Sequence, residues 1–348
     1  MRTTNSRRML LLAVFLLALA LRLAAGFAMG GMYGDGEANR YLAAARSGEW
    51  ESCAAPFYPL FLRSVQRIFG DMDLRPVRIV QALLGSSVVA ALYVTGSAVW
   101  SSRVGFVAAI GGAVYPGFVY ACASVHPDAL LATIVAAMMA VAVAVANPSR
   151  RALLHGMLLA LGALMQSRAA FFAPGLLLVN RRRAILMVAS CAIVIAPWAV
   201  RTALERRAPV SRRCVQEGLK NSTFAWYAAE RSATRLADRM YVNALMLYSW
   251  QPEDAVVRVP GGRERINPAH YVRKYSYLAI LLLGTFAAAR GLRREHFRFA
   301  GPALGCAALL ILTTVLNDGA YRVFMEPLLL LYVANVVGYA RRRPVQVV

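Results

Sequence analysis

Acidic side chains are scarce in this 348-residue chain, which has 17 Asp and Glu against 39 Lys and Arg and a net charge of +22. In a soluble protein, a basic balance of this size suggests nucleic-acid binding. Most of the basic residues, however, fall in short clusters between apolar runs, where such clusters orient membrane helices. We therefore expect no nucleic-acid partner.

Cysteines are few, and the common catalytic motifs do not occur. The five cysteines have neither a CxxC pair nor a metal-binding spacing; they are Cys53, Cys122, Cys191, Cys214 and Cys306. A disulfide between Cys53 and Cys214 stays open, because both are predicted to lie outside the membrane. There is no P-loop, HExxH motif, nucleophile elbow or repeat array. ATP-driven transport and metalloprotease chemistry therefore lack support. No cofactor is expected, and nothing indicates a divalent metal, although one could bind.

Apolar residues are abundant, at 59% of the chain with a mean hydropathy of +0.51. One soluble core could not hide so much apolar surface, so the sequence predicts an all-α polytopic membrane protein with a single domain over residues 1–348. A spanning helix needs about 20 apolar residues, and that length gives about ten spans. They are residues 9–31, 76–100, 104–124, 128–146, 152–166, 170–180, 184–201, 271–289, 299–316 and 323–339.

The basic loops predict the orientation of these spans. If the N-terminus is cytoplasmic, every other loop on that side is basic, as the positive-inside rule requires: Arg103, Arg150 and Arg151, residues 181–183, residues 290–294, and residues 341–343. Both termini are therefore predicted to be cytoplasmic, in a bacterial inner membrane, with the active site outside. A cleaved signal peptide is the rival interpretation of the first segment, but Arg22 and the length of the apolar run oppose it.

Two segments are predicted to lie on the outer side. Residues 32–75 form a first outer loop with juxtamembrane helices, and residues 202–270 form an outer insert. In the first loop, apolar residues recur at helical spacing over residues 54–71, at Phe57, Phe61, Val65 and Ile68. This spacing predicts an amphipathic helix that either lies in the headgroup layer or packs beneath the loop. The basic and aromatic residues of the insert suit a lipid phosphate and a sugar, and equally suit headgroups.

Several stretches resemble the GT-C glycosyltransferases that use polyprenyl-phosphate sugars, a group that includes the protein O-mannosyltransferases and the aminoarabinose transferase of lipid A. Their first outer loop is similar to "GDGEANRYLAAARSG" followed by "APFYPLFLRSVQRIFG". Later segments of the family are similar to "YPGFVYACASVHPDALL", "APWAVRTA" and "DGAYRVFMEPLLLLY". The resemblance implies an inverting enzyme that moves a sugar from a polyprenyl-phosphate donor to an envelope glycan, lipid or protein. Membrane lipids would surround it.

Sugar transfer from a lipid phosphate to a hydroxyl requires a base that takes the acceptor proton. The resemblance assigns this role to Asp35, although Gly36 follows it where the family often has a second acidic residue. The neighbouring glycines allow a tight turn close to a ligand. Asp35 equally suits a helix cap. The candidate catalytic carboxylates are Asp35, Glu37 and Asp128.

The departing phosphate requires positive charge, and arginine can hold phosphate oxygens with two parallel hydrogen bonds. The candidate donor-phosphate ligands are Arg322, Arg201 and Arg168. The candidate contacts for sugar or acceptor are Tyr41, Tyr58 and His126. The ordinary alternatives are that these arginines reach lipid headgroups and that His126 is a hydrated interfacial side chain.

Two other functions stay open, a flippase or transporter of polyprenyl-linked lipids and a polysaccharide polymerase or ligase. Transporters tend to have broken helices near the midplane and two related halves. In this sequence the ionisable residues cluster towards one face and no internal repeat is found. A polymerase or ligase would differ in using a lipid diphosphate donor.

Overall fold

The computed structural model describes residues 2–28, 36–47, 56–70, 74–205, 256–258, 264–266, 268–291, 296–313 and 325–339. These residues are helical apart from turns and one short hairpin. The α-helices are α1 (Arg2–Ala28), α2 (Gly36–Ser47), α3 (Phe57–Phe69), α4 (Arg75–Ser86), α5 (Val88–Val99), α6 (Ser102–Val114), α7 (Pro116–Ala123), α8 (Asp128–Ala144), α9 (Pro148–Met165), α10 (Ala173–Val179), α11 (Ala184–Glu205), α12 (Pro268–Gly291), α13 (Phe297–Thr313) and α14 (Glu326–Tyr339). Two short 3₁₀ helices are Ser167–Phe172 and Arg181–Arg183.

Among the described residues, three helices are long and apolar enough to cross a membrane: Asn5–Ala28, Arg75–Val99 and Arg181–Arg201. The bent pair α6 and α7 makes a fourth when it is counted as one span. Shorter apolar helices are Asp128–Ala144, Ala169–Val179, Tyr275–Arg290 and Glu326–Gly338. The helices thus agree with an integral membrane protein, and this part of the chain does not confirm ten spans.

The predicted span over residues 104–124 is not one straight helix. It breaks at Tyr115, where α6 and α7 meet at 43°. Tyr115 is extended, with φ −61° and ψ 117°, and Pro116 follows it. Proline disfavours the helical conformation of the preceding residue and cannot donate a backbone hydrogen bond, so the chain leaves the helix at this point.

Arg22 of α1 caps the end of α6 at this break. Its side chain is fully buried and donates from Nη2 to the carbonyl of Gly112 at 3.0 Å and from Nη1 to the carbonyl of Ala113 at 3.2 Å. It also donates to Ala18 of its own helix at 3.1 Å. The last carbonyls of a helix have no partner within the helix, so Arg22 supplies donors where lipid offers none.

The helix predicted over residues 54–71 is α3. Its buried face overlaps only in part with the predicted apolar face. The buried face contains Tyr58, Leu62 and Val65, whereas Ile68 is 74% exposed. Helix α3 contacts α2 and α4, which places it beneath the first loop. One face of the helix thus packs within the protein, with Tyr58 fully buried on that face.

Several contacts identify which helix termini share one end of the bundle. Arg7 of α1 donates to Ser102 at 3.4 Å, and Val104 packs against Gly338 of α14, so the start of α1 and the end of α14 share one end of the bundle. The exposed arginines 181–183 follow α10 at this same end, because Asn180 bonds to His155 early in α9. Helix α8 runs from the opposite end, starting at Asp128, over about 25 Å.

The predicted insert over residues 202–270 contains a small hairpin. Strands β1 (Val256–Arg258) and β2 (Glu264–Ile266) pair antiparallel, with Val257 opposite Arg265. Cys53 and Cys214 lie outside the described residues, so whether they form a disulfide stays open. Cys122, Cys191 and Cys306 are free thiols.

Helices α5 and α6 approach closely through glycines, which gives a test of the packing. A Cβ added at Gly96 would lie 2.8 Å from the Cα of Gly105, so the backbones would have to separate. We expect Gly96→Ala to lower the free energy of unfolding by about 1–3 kcal/mol, as overpacking does in other cores. Thermal unfolding in detergent measures this change.

Gly305→Ala is the matched control, because a Cβ at Gly305 of α13 meets no atom of the described residues within 4 Å. Like Gly96→Ala, this substitution gives the small gain in helix propensity that alanine has over glycine, but it creates no steric clash. Equal unfolding temperatures for Gly96→Ala and Gly305→Ala would contradict the close approach of α5 and α6.

Candidate functional site

A buried carboxylate and a histidine face each other where α8 begins. Nδ1 of His126 lies 2.9 Å from Oδ1 of Asp128, and the two side chains are 19% and 10% exposed. Asp128 occupies the first turn of α8, where the positive end of the helix dipole favours a negative charge. Pro127 holds the turn between them in a helical conformation. The turn thus presents an acid–imidazole pair at the end of the bundle opposite the arginine-rich loops.

Two tyrosines of the first loop pack against this turn. The ring of Tyr41, on α2, meets the ring of Tyr58 edge to face with centroids 5.1 Å apart, and the ring of His126 at 6.0 Å. Tyr58, on α3, is fully buried. Its burial raises the pKa of its phenol, and Tyr41 and Asp128 raise that pKa further. The phenol of Tyr58 is therefore neutral and acts as a hydrogen-bond donor.

Gln81 of α4 joins these parts, and the sequence reasoning missed it. Its Oε1 accepts a hydrogen bond from the hydroxyl of Tyr58 at 3.1 Å. Its Nε2 lies 3.0 Å from the carbonyl oxygens of Ala121 and Ser124 and 3.1 Å from that of His126. A single amide within an apolar span was the available signal, because such a side chain must find partners at membrane depth.

The structure brings together four of the predicted site residues: Tyr41, Tyr58, His126 and Asp128. Asp35 and Arg322 lie outside the described residues. Glu37 lies in the first turn of α2 and Arg168 in the 3₁₀ helix Ser167–Phe172, but their side chains are outside the described part. Arg201 lies 6.0 Å from the ring of Trp198 on α11, which packs mainly against α9.

A second buried pair links the α6–α7 break to the start of α14. The hydroxyl of Tyr115 donates to Oε1 of Glu326 at 2.9 Å, and both residues are 3% exposed. Glu326 begins α14, where the helix dipole favours its carboxylate. In sequence it follows Arg322 by four residues. This contact therefore fixes the helix that follows the predicted phosphate-binding arginine.

The chemistry available to this arrangement is proton transfer and hydrogen bonding to oxygen. An imidazole next to a carboxylate can donate to a sugar hydroxyl or a phosphate oxygen while the carboxylate fixes its orientation. In the part of the chain with described side chains, no three His, Cys, Asp or Glu residues come together as metal ligands.

The chain matches one family model in part and resembles solved structures along nearly its whole length. Residues 54–201 match the family model described as dolichyl-phosphate-mannose-protein mannosyltransferase. This range contains Tyr58, Gln81, His126 and Asp128. No curated protein sequence matches the chain.

Two solved structures from Archaeoglobus fulgidus share the fold. The crystal structure of the oligosaccharyltransferase in the apo form gives a TM-score of 0.59 at 12% identity, over 96% of this chain and 50% of that one. The oligosaccharyltransferase AglB in complex with an inhibitory peptide and a dolichol-phosphate gives 0.52 at 13% identity, over 97% and 51%. The chain thus spans about half the length of these structures. The predicted resemblance is confirmed: the chain shares the fold of these oligosaccharyltransferases, and its residues 54–201 match the family model described as dolichyl-phosphate-mannose-protein mannosyltransferase.

Proposed function

We propose that the protein is an integral membrane glycosyltransferase that transfers a sugar from a polyprenyl-phosphate donor to an acceptor of the cell envelope. The observation that carries this proposal is the His126–Asp128 pair, which contacts the first-loop tyrosines and lies within the range that matches the mannosyltransferase family model. The full proposal has about ten spans, cytoplasmic termini and the site on the outer side. The arginine-rich end of the bundle supports this orientation by the positive-inside rule.

The proposed reaction is a single displacement. Asp35, which directly precedes α2 in the sequence, takes the proton of the acceptor hydroxyl. The acceptor oxygen then bonds to the anomeric carbon as the bond from that carbon to the phosphate oxygen breaks. The configuration inverts, and the polyprenyl phosphate leaves with the bonding electron pair. Glu37 would lie one turn or less from Asp35, since it belongs to the first turn of α2.

The leaving phosphate is proposed to bind arginine, with Arg322 as the main ligand and Arg201 and Arg168 as additional charges. The bond between Tyr115 and Glu326 supports this role for Arg322, because it holds the start of α14 only four residues away in sequence. The AglB structure contains a dolichol-phosphate, which shows that a protein of this fold binds a lipid phosphate. A guanidinium is suited to such a group by its paired donors.

One observation favours the transporter alternative. Helices α6 and α7 form a broken span, with a 43° bend at Tyr115, and broken helices are common at the binding sites of transporters. Transport would move the donor across the membrane without changing its covalent structure. Bond cleavage in the donor therefore separates the two functions directly.

The test uses the full chain in proteoliposomes that contain polyprenyl-phosphate mannose. Mass spectrometry follows the release of free polyprenyl phosphate, with and without detergent extracts of envelope glycans as acceptors. We expect release that depends on the protein, and none when a nucleotide-diphosphate sugar or a polyprenyl-diphosphate sugar replaces the donor. Donor that moves between leaflets unchanged would support the transporter and overturn the enzyme. A panel of other polyprenyl-phosphate sugars then identifies the sugar.

Asp128→Asn is expected to lower the rate of sugar release by about 10- to 100-fold, below the full range of a general base, because the carboxylate acts through His126. Asparagine keeps the size of the side chain and can still accept one hydrogen bond. It removes the charge that orients the imidazole. Initial rates of sugar release measure the effect.

The matched control for Asp128→Asn is Asn180→Asp, which alters an equally buried side chain at the other end of the bundle. Asn180 bonds to His155, so the control also alters the hydrogen-bond partner of a histidine, but of one that lies away from the site. A loss of rate in Asn180→Asp equal to that of Asp128→Asn would show a general effect on folding and would contradict a local role for Asp128.

A further inference from the structure

Gln81 connects α3 of the first loop to the turn between α7 and α8. It is fully buried on α4, between the first-loop helices and the turn that carries His126. The tyrosine hydroxyl of α3 approaches its carbonyl end, and the carbonyls of the α7–α8 turn approach its amino end. One side chain therefore touches both segments that hold the predicted site residues.

The amino group of Gln81 has more carbonyl acceptors nearby than it has hydrogens to donate. It has two hydrogens and three carbonyl oxygens within 3.1 Å, those of Ala121, Ser124 and His126. Helix α7 ends at Ala123, so these carbonyls belong to a helix end and the turn after it, where backbone acceptors lack partners. The amide of Gln81 reaches them from α4, and in doing so it fixes the backbone of the turn on which His126 and Asp128 stand.

The contacts close into a ring of four side chains. Gln81 bonds to Tyr58, the ring of Tyr58 packs on Tyr41, Tyr41 packs on the imidazole of His126, and the backbone of His126 returns to Gln81. A closed ring of this kind fixes each member relative to the others, because moving one breaks contacts on two sides. The first loop and the α7–α8 turn are thus coupled through Gln81.

We propose that Gln81 is a positioning residue of the glycosyltransferase site, which holds the His126–Asp128 turn in register with Tyr58 and the first-loop helices. This proposal rests on the proposed function only for its effect on catalysis. Its structural part, the placement of His126, can be measured without any substrate. Gln81 does not touch the reacting atoms and acts through His126 and Tyr58.

The first measurement is the reactivity of His126 towards diethylpyrocarbonate in the purified full chain, read at peptide level by mass spectrometry. The fully buried His155 in the same protein serves as the internal reference. We expect Gln81→Leu to raise the rate of His126 modification about 3- to 10-fold, because the turn loses the hydrogen bonds that this amide donates to its carbonyls. Gln81→Asn, which keeps the amide on a shorter arm, serves as the second variant if the leucine variant does not fold, and we expect a rise of about half that size.

Gln66→Leu is the matched control. Gln66 is a buried glutamine of α3, on the same helix as Tyr58, and among the described residues its Nε2 has no hydrogen-bond partner. The substitution changes volume and polarity as Gln81→Leu does but leaves the ring of contacts intact. We expect His126 reactivity and the rate of sugar release to stay within about twofold of the wild type.

The second measurement is the release of polyprenyl phosphate from polyprenyl-phosphate mannose by the same variants. We expect Gln81→Leu to lower kcat about 10-fold with less than a threefold change in the KM for the donor, because a misplaced His126 affects the reaction more than the binding of a long lipid. If the activity falls because part of the protein is unfolded, thermal unfolding measured without substrate detects the loss of stability.

The outcomes separate the two proposals. Unchanged His126 reactivity in Gln81→Leu and Gln81→Asn overturns the positioning role, whatever the activity. In a second outcome the variants raise His126 reactivity, while even the wild-type chain cleaves no polyprenyl-phosphate sugar. That result supports the positioning role and contradicts the glycosyltransferase function. Raised reactivity together with an unchanged kcat overturns the catalytic part of the proposal.

Discussion

Replacement of Asp35 by asparagine is expected to abolish sugar transfer, with a loss of about 10² to 10⁴ in rate, the range that a positioned general base supplies. Asparagine matches aspartate in size but cannot take the proton of the acceptor hydroxyl. The measurement is the initial rate of polyprenyl-phosphate release in proteoliposomes with acceptor present. Donor binding should change little, because the phosphate is assigned to arginines.

The same substitution also distinguishes a base from a helix cap. Asp35 directly precedes α2, which begins at Gly36, so a capping role is the rival interpretation. Asparagine caps a helix about as well as aspartate does, so Asp35→Asn keeps the cap and removes only the base. Asp35→Ala removes both and should cost about 1 kcal/mol more in stability. A transfer rate of Asp35→Asn equal to that of the wild type would contradict the catalytic role of Asp35 and support its role as a helix cap.

Glu51→Gln provides the matched control for Asp35. Glu51 is a carboxylate of the same predicted outer loop, and it has no assigned role. Its neutralisation changes the charge of the loop by the same amount. We expect the transfer rate of Glu51→Gln to remain within about twofold of the wild type. A loss comparable to that of Asp35→Asn would indicate that loop charge, rather than a base at one position, controls the reaction.

The sequence predicted the helical bundle because long apolar runs at membrane length have few other solutions. It also predicted four residues that the structure brings together, and the family resemblance was decisive for that result. Tyr58 and His126 are 68 positions apart, which no periodicity connects. Spacing shows which side chains share a helix face, whereas the choice of partner helix depends on packing between segments distant in the chain.

The face of α3 shows this limit. Helical spacing grouped Ile68 with Val65 as one apolar face, and both are apolar. The structure buries Val65 and leaves Ile68 74% exposed, because the helix turns Tyr58 and Leu62 towards α4. In a membrane protein an apolar residue gains little from burial between helices when lipid is the alternative, so hydrophobicity alone does not identify the packed face. The hydrogen bond of Tyr58 to Gln81 identifies it instead.

The break of α6 and α7 could have been predicted and was not. Pro116 is visible in the sequence, and the residue before a proline is biased away from the helix. The length of the apolar run nevertheless predicts one span over residues 104–124, and such a run tolerates a proline when neighbouring groups supply hydrogen bonds. The group that supplies them is Arg22, which lies about 90 residues earlier in the chain. Its sequence position only argued against a signal peptide and gave no partner.

Arg22→Leu is therefore expected to destabilise the protein strongly. The leucine retains apolar volume within α1 but leaves the carbonyls of Gly112 and Ala113 without the donors that Arg22 gives them. A buried polar group that loses its partner costs about 1–3 kcal/mol, so the two carbonyls together cost about 2–6 kcal/mol. Thermal unfolding of the detergent-solubilised chain, followed by size-exclusion chromatography after heating, measures the loss.

Arg8→Leu is the control, because Arg8 is an exposed arginine on the same helix. It removes the same charge and side-chain length, and its unfolding temperature should remain close to that of the wild type. Arg22→Lys should fall between the two, since one ammonium group cannot match the two nitrogens with which Arg22 reaches separate carbonyls. If Arg22→Leu unfolds at the temperature of Arg8→Leu, the end of α6 must find other donors. The bend at Tyr115 would then rest on Pro116 and the bond to Glu326, rather than on α1.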